Sequence, residues 1–246
     1  MTPFFRRIRH KLANDNQFLK YSRYAIGEIL LVVVGILVAL QINTWNNKRI
    51  EDKRVVSFLR EFKLELSADT LGLSSNIKNY KAITSVKQNL LLLKDYKDIP
   101  TDSLAEIITP QSGNFSPSTT TFQKITNLGM TKISNNDSLS KMIYSYYTKT
   151  LSSFQIFYDW DVQSTALDGD YWINKQNVFE INMDSDIPIF QNDKTNRLGL
   201  INIVSEPKGR NRINMDLYRK KRILVVLERT KHRASELIFQ IEKELD

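Results

Sequence analysis

The sequence predicts a mainly α-helical protein, in which one N-terminal transmembrane helix is followed by a long stalk-like helix and a helical-bundle extracytoplasmic domain. Two observations carry this prediction: residues 25–42 form an almost uninterrupted apolar run, and apolar residues recur at steps of three and four along most of the remainder. The run divides the 246 residues into a basic cytoplasmic tail (1–23), a membrane helix (24–45) and an outer domain (46–246). The outer domain is long enough to enclose one hydrophobic core.

The apolar run reads AIGEILLVVVGILVALQI, and Glu28 and Gln41 are its only strongly polar residues. An α-helix of this length rises about 27 Å, close to the ~30 Å hydrocarbon thickness of a bilayer. Tyr24 and Trp45 flank the run, at positions where aromatic rings favour the boundary between water and lipid. The polar residues after Leu40 provide no small-residue cleavage site, so we expect a retained anchor rather than a signal peptide.

The charge around the run predicts its orientation. The tail is short and basic, with Arg6, Arg7, Arg9, Lys11, Lys20 and Arg23. Short basic flanks stay in the cytoplasm, whereas long domains cross the membrane largely regardless of their charge. We therefore expect a single-pass protein of the inner (cytoplasmic) membrane, with its N-terminus in the cytoplasm and its C-terminal domain in the periplasm.

Glu28, Gly35 and Ala39 form a candidate helix-packing face within the membrane. At 100° per residue, Gly35 and Ala39 lie about 20° to either side of Glu28 around the helix. Small residues four apart allow two backbones to approach closely in lipid. The alternative interpretation is that the carboxylate of Glu28 reaches the headgroups and that the helix is a plain anchor.

Apolar residues continue at helical spacing after the membrane helix, at Val55, Leu59, Phe62, Leu66, Ile77, Tyr80, Ile83, Val86, Leu90 and Leu93. This pattern predicts the stalk-like helix, with a bend near Gly72.

Residues 96–121 are predicted to connect the stalk-like helix to the next helices. Within this connection, Ser116 followed by proline predicts a helix start. A cap at residues 135–137 precedes a helix rich in tyrosine and phenylalanine, which is typical of a bundle centre. The pattern breaks over residues 174–209, for which we predict a long loop or small hairpin, and a final helix follows.

The stretch RYAIGEILLVVVGILVALQINTWNNKR (23–49) resembles the opening of an uncharacterised Bacteroidota membrane family, domain-of-unknown-function family 6090. In that family a basic tail precedes YxIGEIxLVxxGILIALQINxWN. Residues 120–147, TTFQKITNLGMTKISNNDSLSKMIYSYY, resemble a second family block, although Leu128-Gly129-Met130 stand where a Ser-Gly-basic-Leu pattern is usual. The resemblance implies a single-pass inner-membrane protein, and it implies no catalytic residue.

Residue usage excludes several kinds of chemistry. The chain has no cysteine and only two histidines, His10 and His232, so thiolate metal sites and neighbouring histidine pairs do not occur. Its eight glycines form neither G-x-G nor a phosphate loop, and G-x-S-x-G and H-E-x-x-H are absent from the sequence. We therefore predict no cofactor, no metal ligand and no catalytic residue.

A group of carboxylates supports a first alternative, a membrane-tethered hydrolase. Its members are Asp159, Asp161, Asp168, Asp170, Asp184 and Asp186. Paired carboxylates can perform acid–base catalysis or bind calcium. Aligned with a calcium loop, however, the chain has Gln163 at a ligand position and Ser164 where glycine is needed, and helical residues two apart point in different directions. We interpret the group as solvated carboxylates.

The basic stretch 208–233 carries ten Lys/Arg and two acids, and it supports a second alternative, a cytoplasmic-facing nucleic-acid binder. The predicted outward orientation argues against nucleic acid, so we interpret this stretch as the solvated face of an amphipathic helix. The sequence as a whole predicts a membrane-anchored helical protein-interaction module, acting as a scaffold, accessory subunit or sensor-like protein. Its expected partners are the lipid bilayer and either another protein or a second copy of the chain.

Overall fold

A computed structural model describes residues 18–130, 132–182 and 186–246. Over these ranges the chain is helical without a β-strand, which confirms the predicted fold class. The chain divides into two compact units, Met1–Arg54 and Val55–Asp246. Most of the predicted basic tail (1–23) lies outside the described residues.

The first helix, α1 (Phe18–Leu92), contributes to both units. In the first unit it contains an apolar segment with a mean hydropathy of 2.5 and no buried residue, which is long and apolar enough to cross a membrane. Its large side chains, such as Leu31 (74% exposed), have no protein core around them. A lipid environment would remove this apolar surface from water.

In the second unit the stalk-like continuation of α1 packs into the bundle, because Leu59, Phe62 and Leu66 are completely buried. Gly72 lies inside the helix without interrupting it. The aromatic ring of Phe115 occupies the space beside this glycine, where an added Cβ would lie 2.5 Å from Phe115 Cε2. The glycine therefore serves close packing rather than a break in the helix.

Six further α-helices follow in chain order within the described residues: α2 (Thr101–Ile108), α3 (Thr120–Asn127), α4 (Asp137–Ser145), α5 (Leu151–Gly169), α6 (Asp193–Ser205) and α7 (Pro207–Leu245). A π-turn, Tyr146–Thr150, joins α4 to α5, and a second π-turn, Asp170–Asn174, follows α5. The predicted cap of α4 is confirmed, since the Asn136 side chain accepts hydrogen bonds from the N–H groups of Ser138 and Leu139. The start predicted at Ser116 is wrong, because α3 begins at Thr120.

The prediction of an irregular segment over 174–209 is wrong for its second half. Helix α6 begins after Asn192, whose side chain accepts a hydrogen bond from the N–H of Thr195, and α7 begins at Pro207. The apolar residues of α6 that looked extended are buried on one helical face: Leu200, Ile203 and Val204. Gly199 allows the backbone of the preceding loop to lie against α6, because an added Cβ would lie 1.9 Å from the Val178 carbonyl oxygen.

The interior of the second unit consists of three apolar clusters. The first cluster joins α1 with α3, α4, the first π-turn and the end of α7. The second cluster joins α1 with α5 and the middle of α7. The third cluster joins the end of α1 with α2, α6 and the start of α7. Polar side chains are buried beside the second and third clusters, and they form the candidate site.

Candidate functional site: a buried charge network

Polar residues occupy core positions on three helices of the bundle. On each helix they are one, three, four or seven residues apart, so that they share the buried face: Tyr80 and Lys87 on α1, Asp161, Thr165 and Asp168 on α5, and Asp216, Arg219 and Lys220 on α7. Their side chains meet in the interior, where each charged residue is less than one-tenth exposed. We refer to these eight residues as the charge network.

Asp161 is the centre of the charge network and is completely buried. Its Oδ1 accepts hydrogen bonds from Lys220 Nζ at 2.7 Å and from Arg219 Nε at 2.9 Å. Its Oδ2 accepts a hydrogen bond from the Tyr80 hydroxyl at 2.6 Å. Lys220 also donates to Thr165 Oγ1 at 3.0 Å, so its ammonium group is engaged on several sides.

Arg219 extends the charge network from Asp161 to two further carboxylates. Its Nη2 donates to Asp168 Oδ2 at 2.7 Å and also to Asp216 Oδ1. The other oxygen of Asp216 lies 2.9 Å from Lys87 Nζ, which also donates to the backbone carbonyl of Ile107 in α2. The charge network thereby ties α1, α2, α5 and α7 together.

The six ionic side chains comprise Asp161, Asp168 and Asp216 against Lys87, Arg219 and Lys220, so their formal charges cancel. Such a balance is needed because an unpaired charge in a protein interior costs several kcal/mol. Burial lowers the pKa of Lys220, which outweighs the opposing effect of Asp161 and Asp216. Burial also raises the pKa of the Tyr80 hydroxyl, and the charge of Asp161 adds to that effect.

These contacts define what the charge network can do chemically. The carboxylate oxygens accept hydrogen bonds from neighbouring cations, and the N–H groups of Lys220 point at protein acceptors. An acid–base catalyst needs a group that can reach a substrate proton. The charge network instead holds its proton donors and acceptors against one another, and a different register of α1, α5 and α7 would leave buried charges unpaired.

The predicted carboxylate group is divided between the interior and the surface. Asp161 and Asp168 are buried, so their interpretation as solvated carboxylates is wrong, because Arg219 neutralises both. Asp159 lies on the exposed side of α5 and accepts a hydrogen bond from Gln155 at 2.8 Å. Asp170 pairs with Lys175 at 2.5 Å. Asp186 lies in an exposed turn, and Asp184 lies outside the described residues.

The basic stretch 208–233 is also divided. Arg219 and Lys220 belong to the buried face of α7, which corrects the interpretation of the whole stretch as a solvated surface. Lys221 and Arg222 are exposed, as expected for the opposite face of an amphipathic helix. At the edge of the charge network Arg212 donates to Asp168 Oδ1 at 2.9 Å.

The candidate membrane face remains open within the first unit. Glu28, Gly35 and Ala39 are exposed, and a Cβ added at Gly35 would meet no atom within 4 Å. Nothing in the described part of the chain covers these positions. The proposed packing face is therefore available for a second helix, and its use stays a prediction.

The described residues contain no group of three or more histidine, cysteine, aspartate or glutamate side chains that could hold a metal ion. The aspartates of the charge network are separated by cationic side chains, which occupy the positions that a metal ion would need.

Within the described residues, the fold and the charge network define a helical protein with one candidate membrane helix and a bundle in which the six charges of the network are mutually paired. The chain belongs to a family of unknown function (DUF6090), whose sequence profile matches residues 28–170. This range includes the polar residues of α1 and α5, whereas Asp216, Arg219 and Lys220 of α7 lie beyond it. Comparison with curated proteins and with solved structures finds no match.

Proposed function

We propose that this protein is a single-pass inner-membrane protein whose periplasmic helical bundle binds another protein or a second copy of itself, and that it performs no catalysis. Its role would be that of a scaffold, an accessory subunit or a sensor-like module. The source implied by the family resemblance, a member of the Bacteroidota, has an inner membrane and a periplasm that fit this arrangement. The observation that carries the proposal is an exposed apolar surface on the bundle.

This surface lies on α5 and α7. Ile156 and Leu167 of α5 are 69% and 66% exposed, and Met215 and Tyr218 of α7 are 59% and 54% exposed. Helices α5 and α7 are antiparallel, because Asp161 meets Lys220 whereas the later Asp168 meets the earlier Arg212.

On each helix the exposed apolar residues are displaced from the buried aspartate in the same rotational sense. The angle from Asp161 to Ile156 or Leu167 is about 120–140°, and the angle from Asp216 to Met215 or Tyr218 is about 100–160°. On an antiparallel pair of helices, equal rotation places residues on the same side. The apolar residues of α5 and α7 therefore line one surface, which we call the α5–α7 surface, and Trp160, about 100° from Asp161 in the same sense, belongs to it.

Large exposed apolar surfaces on folded domains mark sites of association. Aromatic residues such as Trp160 and Tyr218 are common at the centre of protein interfaces. Arg222 is exposed on the same side of α7, so a partner with acidic residues around an apolar centre would be complementary. These features favour a protein partner.

The charge network supports the non-catalytic part of the proposal. The hydrolase alternative needs two carboxylates that face a substrate, but Asp161 and Asp168 face Arg219 in the interior. The nucleic-acid alternative needs the basic stretch on the surface, and two of its ten basic residues, Arg219 and Lys220, are instead buried in ion pairs.

Crosslinking in native membranes tests the proposal. We expect Tyr218→Glu to abolish the crosslinked species formed by the wild-type protein, because a charge in an apolar interface is left unpaired. Phe239→Glu is the matched control, since Phe239 is also exposed on α7 (62%) but lies two helical turns or more from the α5–α7 surface. Equal crosslinking by wild type and Tyr218→Glu at equal expression would contradict the proposal. The mass of the crosslinked species distinguishes a second copy from another protein.

A further inference from the structure

A cavity of about 860 Å³ opens between α2, α6 and the loop that precedes α6. This volume is within the range of about 300–1,000 Å³ that is typical of sites for small molecules. Positions 102, 105, 106 and 109 of α2 line one wall, and positions 193, 196 and 200 of α6 line another, so each helix contributes a single face. The loop contributes Glu180, Ile181, Pro188, Ile189 and Gln191.

Hydrogen bonds hold the loop wall of the cavity in place. Asn196 of α6 is 4% exposed, accepts a hydrogen bond from the N–H of Glu180 at 2.7 Å and donates one to the carbonyl oxygen of Glu180 at 3.1 Å. The carboxylate of Glu180 accepts hydrogen bonds from the N–H groups of Phe190 at 2.9 Å and Gln191 at 3.0 Å. The two ends of the loop wall are therefore fixed to each other and to α6, as in a preformed binding site.

The charge of the cavity has one sign. Four of its lining side chains are carboxylates: Asp102, Glu106, Glu180 and Asp193. Among the described residues, lysine, arginine and histidine do not line it. The cavity therefore attracts cations and repels ligands that carry phosphate or carboxylate groups.

The carboxylates are spread around the cavity rather than gathered at one point. Asp102 and Glu106 are four residues apart on α2, which separates their Cβ atoms by about 5–6 Å, whereas Glu180 and Asp193 belong to the other walls. Within the described chain, three acidic side chains do not come close enough together to hold a metal ion, which needs several oxygen ligands at once. The arrangement instead suits a ligand whose positive charges are distributed along its length.

Apolar side chains lie among the carboxylates. Leu200 is completely buried, and Ala105, Ile181 and Ile189 also line the cavity. Apolar surface of this kind packs well against the methylene groups of an alkylammonium chain. Gln191 adds an acceptor, because its Oε1 is buried and within the described chain no group donates a hydrogen bond to it. A ligand N–H that reached this oxygen would satisfy it.

We propose that the cavity binds a linear aliphatic polyamine, whose ammonium groups pair with the carboxylates of Asp102, Glu106 and Asp193 while its methylene groups contact Ile181, Ile189 and Leu200. Ammonium groups that are separated by a few methylene groups match carboxylates that are one helical turn apart. The lysine side chains of a peptide present the same chemistry and are a second source of such groups. The inference does not depend on the charge network, on the α5–α7 surface or on the orientation in the membrane.

Isothermal titration calorimetry of the full-length protein in non-ionic detergent micelles, with spermidine as the probe, tests this inference. We expect saturable binding to the wild type, weakened about tenfold or more by Glu106→Gln and by Asp102→Asn, because each substitution removes a charge-assisted hydrogen bond to the ligand. Both side chains are exposed, so the two variants should keep the melting temperature of the wild type. Asp159→Asn is the matched control, because it removes an exposed carboxylate of α5 that does not line the cavity.

Two further measurements separate binding in the cavity from a general attraction of cations to acidic side chains. Ala105→Phe fills part of the cavity without changing its charge, so it should abolish spermidine binding. Mg²⁺ at the same concentration as spermidine should not displace it, because the dispersed carboxylates cannot surround one ion.

The inference would be overturned by a lack of saturable binding to the wild type, by affinities of Glu106→Gln and Asp102→Asn equal to that of the wild type, or by undiminished binding to folded Ala105→Phe. Displacement of spermidine by an equal concentration of Mg²⁺ would also overturn it. Trilysine as a second probe distinguishes the two sources of ammonium groups. Whichever probe binds the wild type more tightly, and loses that affinity in Glu106→Gln, identifies the source as a free polyamine or a peptide.

Discussion

Lys220 Nζ lies 2.7 Å from Asp161 Oδ1 in the centre of the bundle, where neither side chain is accessible to solvent. The contact joins α7 to α5 through two charged groups rather than two apolar ones. A buried ion pair of this kind adds little stability compared with well-packed apolar residues, but it strongly disfavours any packing that leaves one charge unpaired. The pair therefore selects one register of the two helices.

We predict that Lys220→Met destabilises the full-length protein by about 3–5 kcal/mol, because the carboxylates of Asp161 and Asp216 lose a cation in the interior. Lys221→Met is the matched control. Lys221 is the next residue, is exposed and donates only to Gln88 Oε1, so its loss should change stability by less than about 0.5 kcal/mol. Chemical unfolding in detergent measures both. Equal destabilisation by the two substitutions would show that the buried ion pair contributes no more to stability than the exposed hydrogen bond of Lys221.

The sequence predicted the fold class because most helices have an apolar face at a period of 3.6 residues. It did not predict the charge network, although the signal is present in the same periodicity. The buried face of α1 passes from Tyr80 and Ile83 to Lys87 and Leu90, whereas Val86, assigned to that face from its apolar character, is 44% exposed. A polar residue at a core position of a helical pattern indicates a buried partner, and the identity of that partner depends on tertiary packing.

Other features could not be predicted because they depend on contacts distant in sequence. Helix α6 has β-branched residues that resemble a strand, and it becomes helical by burying them against α2 and α7. The connection over residues 109–121 reads as a plain polar segment, but its backbone N–H groups donate to side chains that lie 33 to 56 residues away in sequence. Local composition contains no information about such pairs.

Gly199 provides a second test of packing. An added Cβ would lie 1.9 Å from the backbone oxygen of Val178, and a backbone cannot move aside as a flexible side chain can. We predict that Gly199→Ala destabilises the protein by about 2 kcal/mol or more. Gly169→Ala is the control, because the nearest atom there is Pro110 Cγ at 3.4 Å, and alanine favours a helix by about 1 kcal/mol over glycine. In thermal unfolding, the melting temperature of Gly199→Ala should therefore be lower than that of the wild type, and the melting temperature of Gly169→Ala should be higher.

The surface carboxylates of the predicted hydrolase site test the absence of catalysis. We predict that Asp159→Asn and Asp170→Asn each leave a cellular phenotype of the gene unchanged, because these residues contact only Gln155 or the pair Asn174 and Lys175. Asp161→Asn and Asp168→Asn should instead reduce the abundance of the protein, since each leaves the buried network with one positive charge more than its carboxylates neutralise. Complete loss of the phenotype in Asp159→Asn at normal abundance would favour the hydrolase.

The orientation in the membrane is tested by cysteine labelling, for which the cysteine-free sequence provides a clean background. Ser112 is exposed in the connection between α2 and α3, so a cysteine there should react with a membrane-impermeant thiol reagent in cells whose outer barrier alone is opened. A cysteine at Asn14, in the basic tail, should react only after lysis. The opposite pattern would place the bundle in the cytoplasm and would renew the case for a nucleic-acid partner.

The membrane face of α1 provides the last prediction. Gly35 and Ala39 are four residues apart and exposed, and a Cβ added at Gly35 would meet no atom of the described chain within 4 Å. Gly35→Leu should therefore leave folding and insertion intact, since leucine is favourable in a lipid-facing helix. Close approach of a second helix through this face should be lost, because packing in lipid depends on small residues at the point of contact.

Crosslinking through residues placed within the membrane segment, compared between wild type and Gly35→Leu at equal expression, measures this effect. Val33→Leu is the matched control, because residue 33 lies about 140° from Glu28 around the helix, on the opposite face from Gly35 and Ala39, and it places the same leucine side chain there without altering the small-residue pair. We expect the membrane-segment crosslink to disappear in Gly35→Leu and to persist in Val33→Leu. An unchanged crosslink in both variants would leave α1 as a plain anchor, and association would then depend on the α5–α7 surface alone.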